Sequence, residues 1–173
     1  IGMLERDYPG QSIFEIRSSH HQRSKKIIME KYKDFFLEES LSFRIAEISY
    51  AHGVSNLNEF DEIDYIDGYG DIRLKLLMAL LRIGDVLDWA KSRAPILTKE
   101  TLKIGSDSCR YWIEHNFIES FKCDNISFQI EIIGIPRGKW SRDKLVEIQD
   151  WFQSELDILS PIFENYGLLY KKI

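Results

Sequence analysis

Leu74-Lys75-Leu76-Leu77-Met78-Ala79-Leu80-Leu81-Arg82-Ile83-Gly84-Asp85-Val86-Leu87 is the stretch whose reading decides the fold. It falls inside a helix predicted from Asp71 to about Ala90, and it is apolar nearly all round. A helix without a polar face is one surrounded by other helices, so the chain reads as mainly α. Pro95 is expected to end it. Working outward, apolar positions Ile27, Ile28, Tyr32, Phe35 and Phe36 recur at helical spacing between about Ser19 and Phe36. Ser40 is expected to cap a second helix, carrying Leu41, Phe43, Ile45 and Ile48 and stopping at Gly53 as a positive-φ residue. The acidic stretch from Asn56 to Asp67 reads as a surface loop closing on Gly68-Tyr69-Gly70.

Downstream, Ser106 to His115 reads as a helix. Phe117–Lys122 and Ile126–Ile135 alternate around Cys123-Asp124-Asn125, the pattern of a β-hairpin. Ser141 then opens a long amphipathic helix through Leu145, Ile148, Phe152, Leu156 and Leu159, bent or restarted at Pro161. Residues 1–18 read as an irregular lead-in with a Pro9-Gly10 turn.

Composition narrows the classes. The 173 residues are 44% hydrophobic and 13% aromatic, with 10 Gly and 4 Pro, which excludes disorder and low-complexity behaviour. The net charge of −5 argues against non-specific attraction to nucleic acid or an anionic membrane. No basic recognition helix suggests base reading. Leu76 to Leu81 is far shorter than the ~20 residues of a membrane span. Cys109 and Cys123 form no CxxC and no disulfide framework, and no signal segment opens the chain, so a cytoplasmic location is expected. Opening on Ile1, the chain reads as a piece of a longer protein.

Phosphate motifs are absent. Gly134 to Lys139 is a broken echo of a P-loop, with Trp140 where Ser or Thr should hold magnesium. Gly68-Tyr69-Gly70 lacks the third glycine and the strand of a dinucleotide site. What remains is His20 or His21, His52 and Asp85 on three predicted helices. Two imidazoles and a carboxylate suit a divalent manganese, iron, cobalt or zinc ion, and helices deliver such ligands to a shared interior. Asp85, beside Ile83 and Val86 on a greasy helix, needs a cation, a metal or several donors. Each also has a structural reading. His52 would sit at a helix C-terminus with Gly53 as its cap, His20 and His21 on a solvated helix start, and Asp85 in a pair with Arg82. Asp88 and Arg93 would cap the helix exit, and His115 would pack beside Trp112.

His20-His21-Gln22-Arg23 resembles the first motif of the HD superfamily, a His followed three residues later by Arg. Leu80-Leu81-Arg82-Ile83-Gly84-Asp85-Val86-Leu87-Asp88 is similar to its last motif. The resemblance implies His20, His52 and Asp85 as metal ligands. Where the namesake pair should read His-Asp, this chain reads His52-Gly53, which removes a ligand. The stretch from Tyr111 onward resembles a prokaryotic HD subgroup attached to GHKL-type ATPase modules.

The resemblance therefore implies one HD-like domain over 1–173. It would comprise the lead-in 1–18, a helical core over 19–105, and a helix, a late β-hairpin and a C-terminal amphipathic helix over 106–173. The expected function is a metal-dependent phosphohydrolase acting on a phosphate ester or nucleotide. Asp85 and Arg82 would be the catalytic residues, and Arg23, Arg82 or Arg93 would neutralise phosphate charge, with Arg23 and Arg93 binding substrate. The alternative is a non-catalytic HD-like module, with or without a bound metal, that packs against an ATPase or other partner and senses a nucleotide. A third reading is a structural helical domain whose polar residues pair among themselves, with Asp85 bonded to Arg82 or to backbone and His20 and His52 facing away.

Overall fold

The computed structural model describes residues 8–32, 38–94, 106–124, 126–170 and 172–173. The chain divides into two compact units, Ile1–Arg82 and Ile83–Ile173. The fold is mainly α with two small antiparallel hairpins, as the sequence indicates.

The first unit opens with helix α1 (Ile13–Ser18), inside the stretch expected to be irregular. The reason is local. The Ser12 hydroxyl accepts from the Glu15 amide at 3.2 Å, and the Glu15 carboxylate accepts from the Ser12 amide at 2.7 Å. This reciprocal capping box satisfies two of the amides that every helix start leaves open. Helix α2 (His20–Ile27) follows almost at once and continues as a π-helical turn over Ile28–Tyr32. Phe35 and Phe36 lie outside the described residues.

Helix α3 (Glu39–Ala51) packs against α2. Its N-cap is Glu38 and not the expected Ser40, which is the second residue of the helix. The buried residues of this pair are small: Ser24 on α2, and Ser42, Ala46 and Ala51 on α3. Small side chains set a short distance between helix axes, and that distance shapes the site below.

The acidic loop is more ordered than its composition suggests. Strands β1 (Asp64–Ile66) and β2 (Gly70–Ile72) form a hairpin within it. Gly68 and Gly70 take φ of +80° and +81°, which a side chain would resist, so the turn needs both glycines. Ile66 is buried, and Arg44 of α3, itself paired with Glu47 on the same helix, ties the loop down through Asp64.

Helix α4 (Leu74–Leu87) is shorter at both ends than predicted, because β2 takes the residues before it and the helix stops at Leu87. Pro95 lies outside the described residues. Leu74, Met78, Ala79, Ile83 and Val86 are buried, whereas Leu77, Leu80 and Leu81 are exposed. The all-round burial expected of this helix therefore holds for one face only.

In the second unit, helix α5 (Ser106–His115) leads into β3 (Ile118–Asp124), which pairs antiparallel with β4 (Gln129–Gly134). This hairpin falls in the region where sequence alternation places it, but its turn comes later than expected: Cys123 and Asp124 are paired in β3 with Ile130 and Gln129, and Ile126 lies in the turn. Helix α6 (Lys139–Glu164) begins two residues before the predicted Ser141 and runs through Pro161 without interruption. Ile148, Phe152, Leu156, Leu159, Ile162 and Phe163 form its buried stripe, and Phe152 meets Phe121 of β3 with ring centroids 5.5 Å apart. His115 stacks on Trp89 at 4.3 Å, where Trp112 was the expected neighbour. No helix among the described residues is long and apolar enough to cross a membrane.

Candidate metal centre

His20 is the first residue of α2, and His52 is the C-cap of α3. Although 32 positions apart in sequence, their Nε2 atoms lie 2.7 Å apart. Each ring is oriented from behind by a backbone carbonyl one turn earlier in its own chain. His20 Nδ1 contacts the Arg17 oxygen, and His52 Nδ1 contacts the Ser49 oxygen. A carbonyl only accepts, so Nδ1 carries the hydrogen in both rings and Nε2 presents a lone pair. Two lone pairs at this separation repel unless a positive centre lies between them. A shared proton or a metal ion would be such a centre.

The donor chemistry fits a metal. Histidines that bind metal through one ring nitrogen usually donate the other N–H to a carbonyl or carboxylate, which fixes tautomer and orientation. Here both rings have that support. Among the described residues, no group of three His, Cys, Asp or Glu side chains forms a set able to hold a metal. The observed donor set is thus a histidine pair.

His21 completes the surroundings. Its ring meets His20 edge-on with centroids 5.8 Å apart, His52 edge-on at 6.4 Å, and Tyr50 at 5.3 Å. Burial, and then the neighbouring charges of His20 and His52, hold its pKa below the ordinary imidazole value. Lys25 adds positive charge over Tyr50, its Nζ 5.2 Å from the ring centroid.

Gly53 departs from its expected role. It is not a positive-φ cap, because the backbone continues in the α-region at His52 and the Gly53 amide donates to the Tyr50 carbonyl at 3.2 Å. What demands glycine is space. A Cβ there would lie 2.5 Å from His21 Cγ, 2.6 Å from its Nδ1 and 2.8 Å from its Cβ.

The arginines named from sequence have structural partners. Arg82 is buried and donates from Nη1 to the Val54 carbonyl, which anchors the chain just past His52-Gly53. Arg23 donates to Gln11 Oε1 at 2.9 Å and to the Ile16 carbonyl, and its guanidinium lies over the Tyr8 ring at 4.3 Å. Asp85 belongs to the second unit, where its half-exposed carboxylate lies 3.7 Å from Arg93, and Arg93 also pairs with Asp88. Within the first unit the structure brings His20 and His52 together and adds His21; within the second, Arg93 joins Asp85 and Asp88.

The family model for HD-CE matches residues 4–158. The chain belongs to the HD-CE family. This makes it an HD-type domain, with the match extending over both compact units. No curated protein and no solved structure matches the chain. In this HD-CE chain, sequence reasoning missed how His21 packs. The adjacent His52-Gly53 pair was its one trace, since a glycine at a helix end marks close approach as readily as it marks a cap.

Proposed function

We propose that this HD-type domain is a metal-dependent phosphohydrolase acting on a phosphate ester or nucleotide, with His20 and His52 as metal ligands. The observation that carries the reading is the convergence of two Nε2 lone pairs at 2.7 Å, each ring held by a carbonyl behind it. A divalent ion held there would act as a Lewis acid and lower the pKa of a water beside the phosphoryl group. The chain's own contribution is preorganisation. The Arg17 and Ser49 carbonyls keep both rings in one tautomer, and Arg82 steadies the backbone after His52 through Val54. Arg82 is accordingly a positioning residue in this proposal. The ligand role of Asp85 and the phosphate roles of Arg23 and Arg93 rest on the motif resemblance.

The test is metal content by plasma mass spectrometry, on protein purified without chelators or a histidine tag. Near-stoichiometric metal in the wild type, lost in His20→Ala and His52→Ala, supports the reading. Loss in Asp85→Ala as well would support the motif's third ligand. No metal, and no uptake on adding manganese, iron, cobalt or zinc, refutes it. A screen of phosphate esters and nucleotides on the loaded protein then tests turnover.

A second reading has its own observation. Gly53 provides no carboxylate beside the pair, and the His21 ring borders that position. A non-catalytic module that senses a nucleotide, or docks on a GHKL-type ATPase partner, accounts for this. Stoichiometric metal without turnover of any phosphate ester, together with nucleotide binding, would favour that alternative.

A further inference from the structure

The ring of His21 lies edge-on to both members of the His20–His52 pair, with interplanar angles of 88° and 86°. Edge-on contacts between rings resist rotation, because the hydrogen-bearing edge of one ring is drawn to the π-face of the other. His21 can occupy this place because of its contact with Gly53. The three atoms that a Cβ at position 53 would strike are His21 Cβ, Cγ and Nδ1, the root of the side chain and not its tip. Rotating χ1 moves Cγ and Nδ1 but leaves Cβ, which would stand 2.8 Å away. A side chain at 53 can therefore be accommodated only by a backbone shift between the start of α2 and the end of α3. Those are the two points that bear His20 and His52. The same two helices pack on each other, and their buried residues are the small Ser24, Ser42, Ala46 and Ala51.

We propose that Gly53 and His21 interlock, and that His21 is the residue that positions the His20–His52 pair for metal. Gly53 admits the root of His21, and the His21 ring then fixes the rotamers in which the two Nε2 atoms converge. The positioning half rests on the proposed metal reading, whereas the interlock does not. The donors within this cluster are imidazoles, so the ion it favours is a borderline one such as cobalt or zinc, not magnesium or calcium.

The experiment uses the full chain and two readouts. The first is Co2+ and Zn2+ affinity by isothermal titration, with the Co2+ visible spectrum as a reporter of geometry. His21→Ala should weaken Co2+ binding by about 10- to 100-fold, the usual effect of losing a group that orients a ligand. His21→Phe keeps the ring and its edge contacts and should restore most of that loss. Equal loss in His21→Phe and His21→Ala would make the His21 nitrogen itself a ligand and overturn the positioning role. So would unchanged affinity in His21→Ala.

The second readout is a thermal cycle on chelator-treated protein. Gly53→Ala should lower Tm by on the order of 5 °C, from overpacking against His21. In a His21→Gly background the same change should cost little or raise Tm. Equal costs in the two backgrounds overturn the interlock. Should Gly53→Ala not fold, recovery of folding in the His21→Gly/Gly53→Ala double variant supports the interlock, and failure to recover it counts against it. If the wild type takes up neither ion, the metal reading and the positioning role both fall, and the thermal cycle still decides the interlock.

Discussion

Replacing Arg82 by Met separates its structural role from any part in chemistry. Arg82 is buried, and its Nη1 donates to the Val54 carbonyl. Met retains most of the aliphatic stem and packs adaptably, so the change removes the guanidinium with little cavity. A hydrogen bond from a charged donor contributes about 1.5–3 kcal/mol, and the carbonyl left without it adds to the cost. For a chain of 173 residues, about 2 kcal/mol corresponds to a Tm loss of roughly 4–8 °C. Calorimetry on metal-free protein measures this directly. Because Val54 follows His52-Gly53 immediately, metal affinity should fall together with Tm, and Arg82→Lys should recover part of each. An unchanged Tm in Arg82→Met would refute the anchoring argument. Unchanged Tm with lost turnover would return Arg82 to a catalytic role.

Ser12→Ala removes the hydroxyl half of the capping box of α1 and should cost about 1 kcal/mol, seen as faster amide exchange over residues 13–18. The same variant tests a pH effect. The Ser12 amide, and then its hydroxyl, hold the Glu15 carboxyl below its ordinary value of 4.5, so this stabilisation is present above that pH and is lost as pH falls through the lowered value. Ser12→Ala keeps the amide and should flatten that part of the acid limb of the stability curve only partly, whereas Glu15→Gln removes the titrating group and should flatten it fully; an identical acid limb in Glu15→Gln would contradict the assignment. Glu114 is buried between Arg110 at 2.8 Å and Lys144 at 3.6 Å, and Glu114→Gln should cost about 1–3 kcal/mol in urea denaturation. Lys144 keeps Glu147 at 2.6 Å, so additional loss of Glu147 should cost more in the Glu114→Gln background than in the wild type. Trp89→Leu should destabilise the second unit by removing the His115 stack and the Trp151 edge contact, and tryptophan fluorescence reports the change.

Several parts of this architecture were legible from residue order because their causes are local. Alternating apolar residues produce β3 and β4 in the expected region, and the period of Ile148, Phe152, Leu156 and Leu159 defines α6. The capping box was equally local: Ser12 and Glu15 carry its signature, but the short helix behind them does not announce itself by periodicity. The β1–β2 hairpin was hidden for a different reason. Its strands are three residues each, too short for a period, and they are held by turn glycines and by Arg44 from another element.

The site divides along the same line. Residue types offered His20 or His21, His52 and Asp85 as metal-ligand candidates, and the motif resemblance chose His20 and pointed to an HD-type domain. That the rings meet through Nε2, with both Nδ1 hydrogens committed to carbonyls, follows from packing α2 against α3. The meaning of Gly53 was likewise settled in three dimensions. In one dimension it is a helix cap, and only the approach of His21 makes it a point of contact between helices. Periodicity reports which face of an element is apolar. Which side chain from a distant element fills a particular gap depends on helix separation, and that emerges from the sum of all the small residues between them.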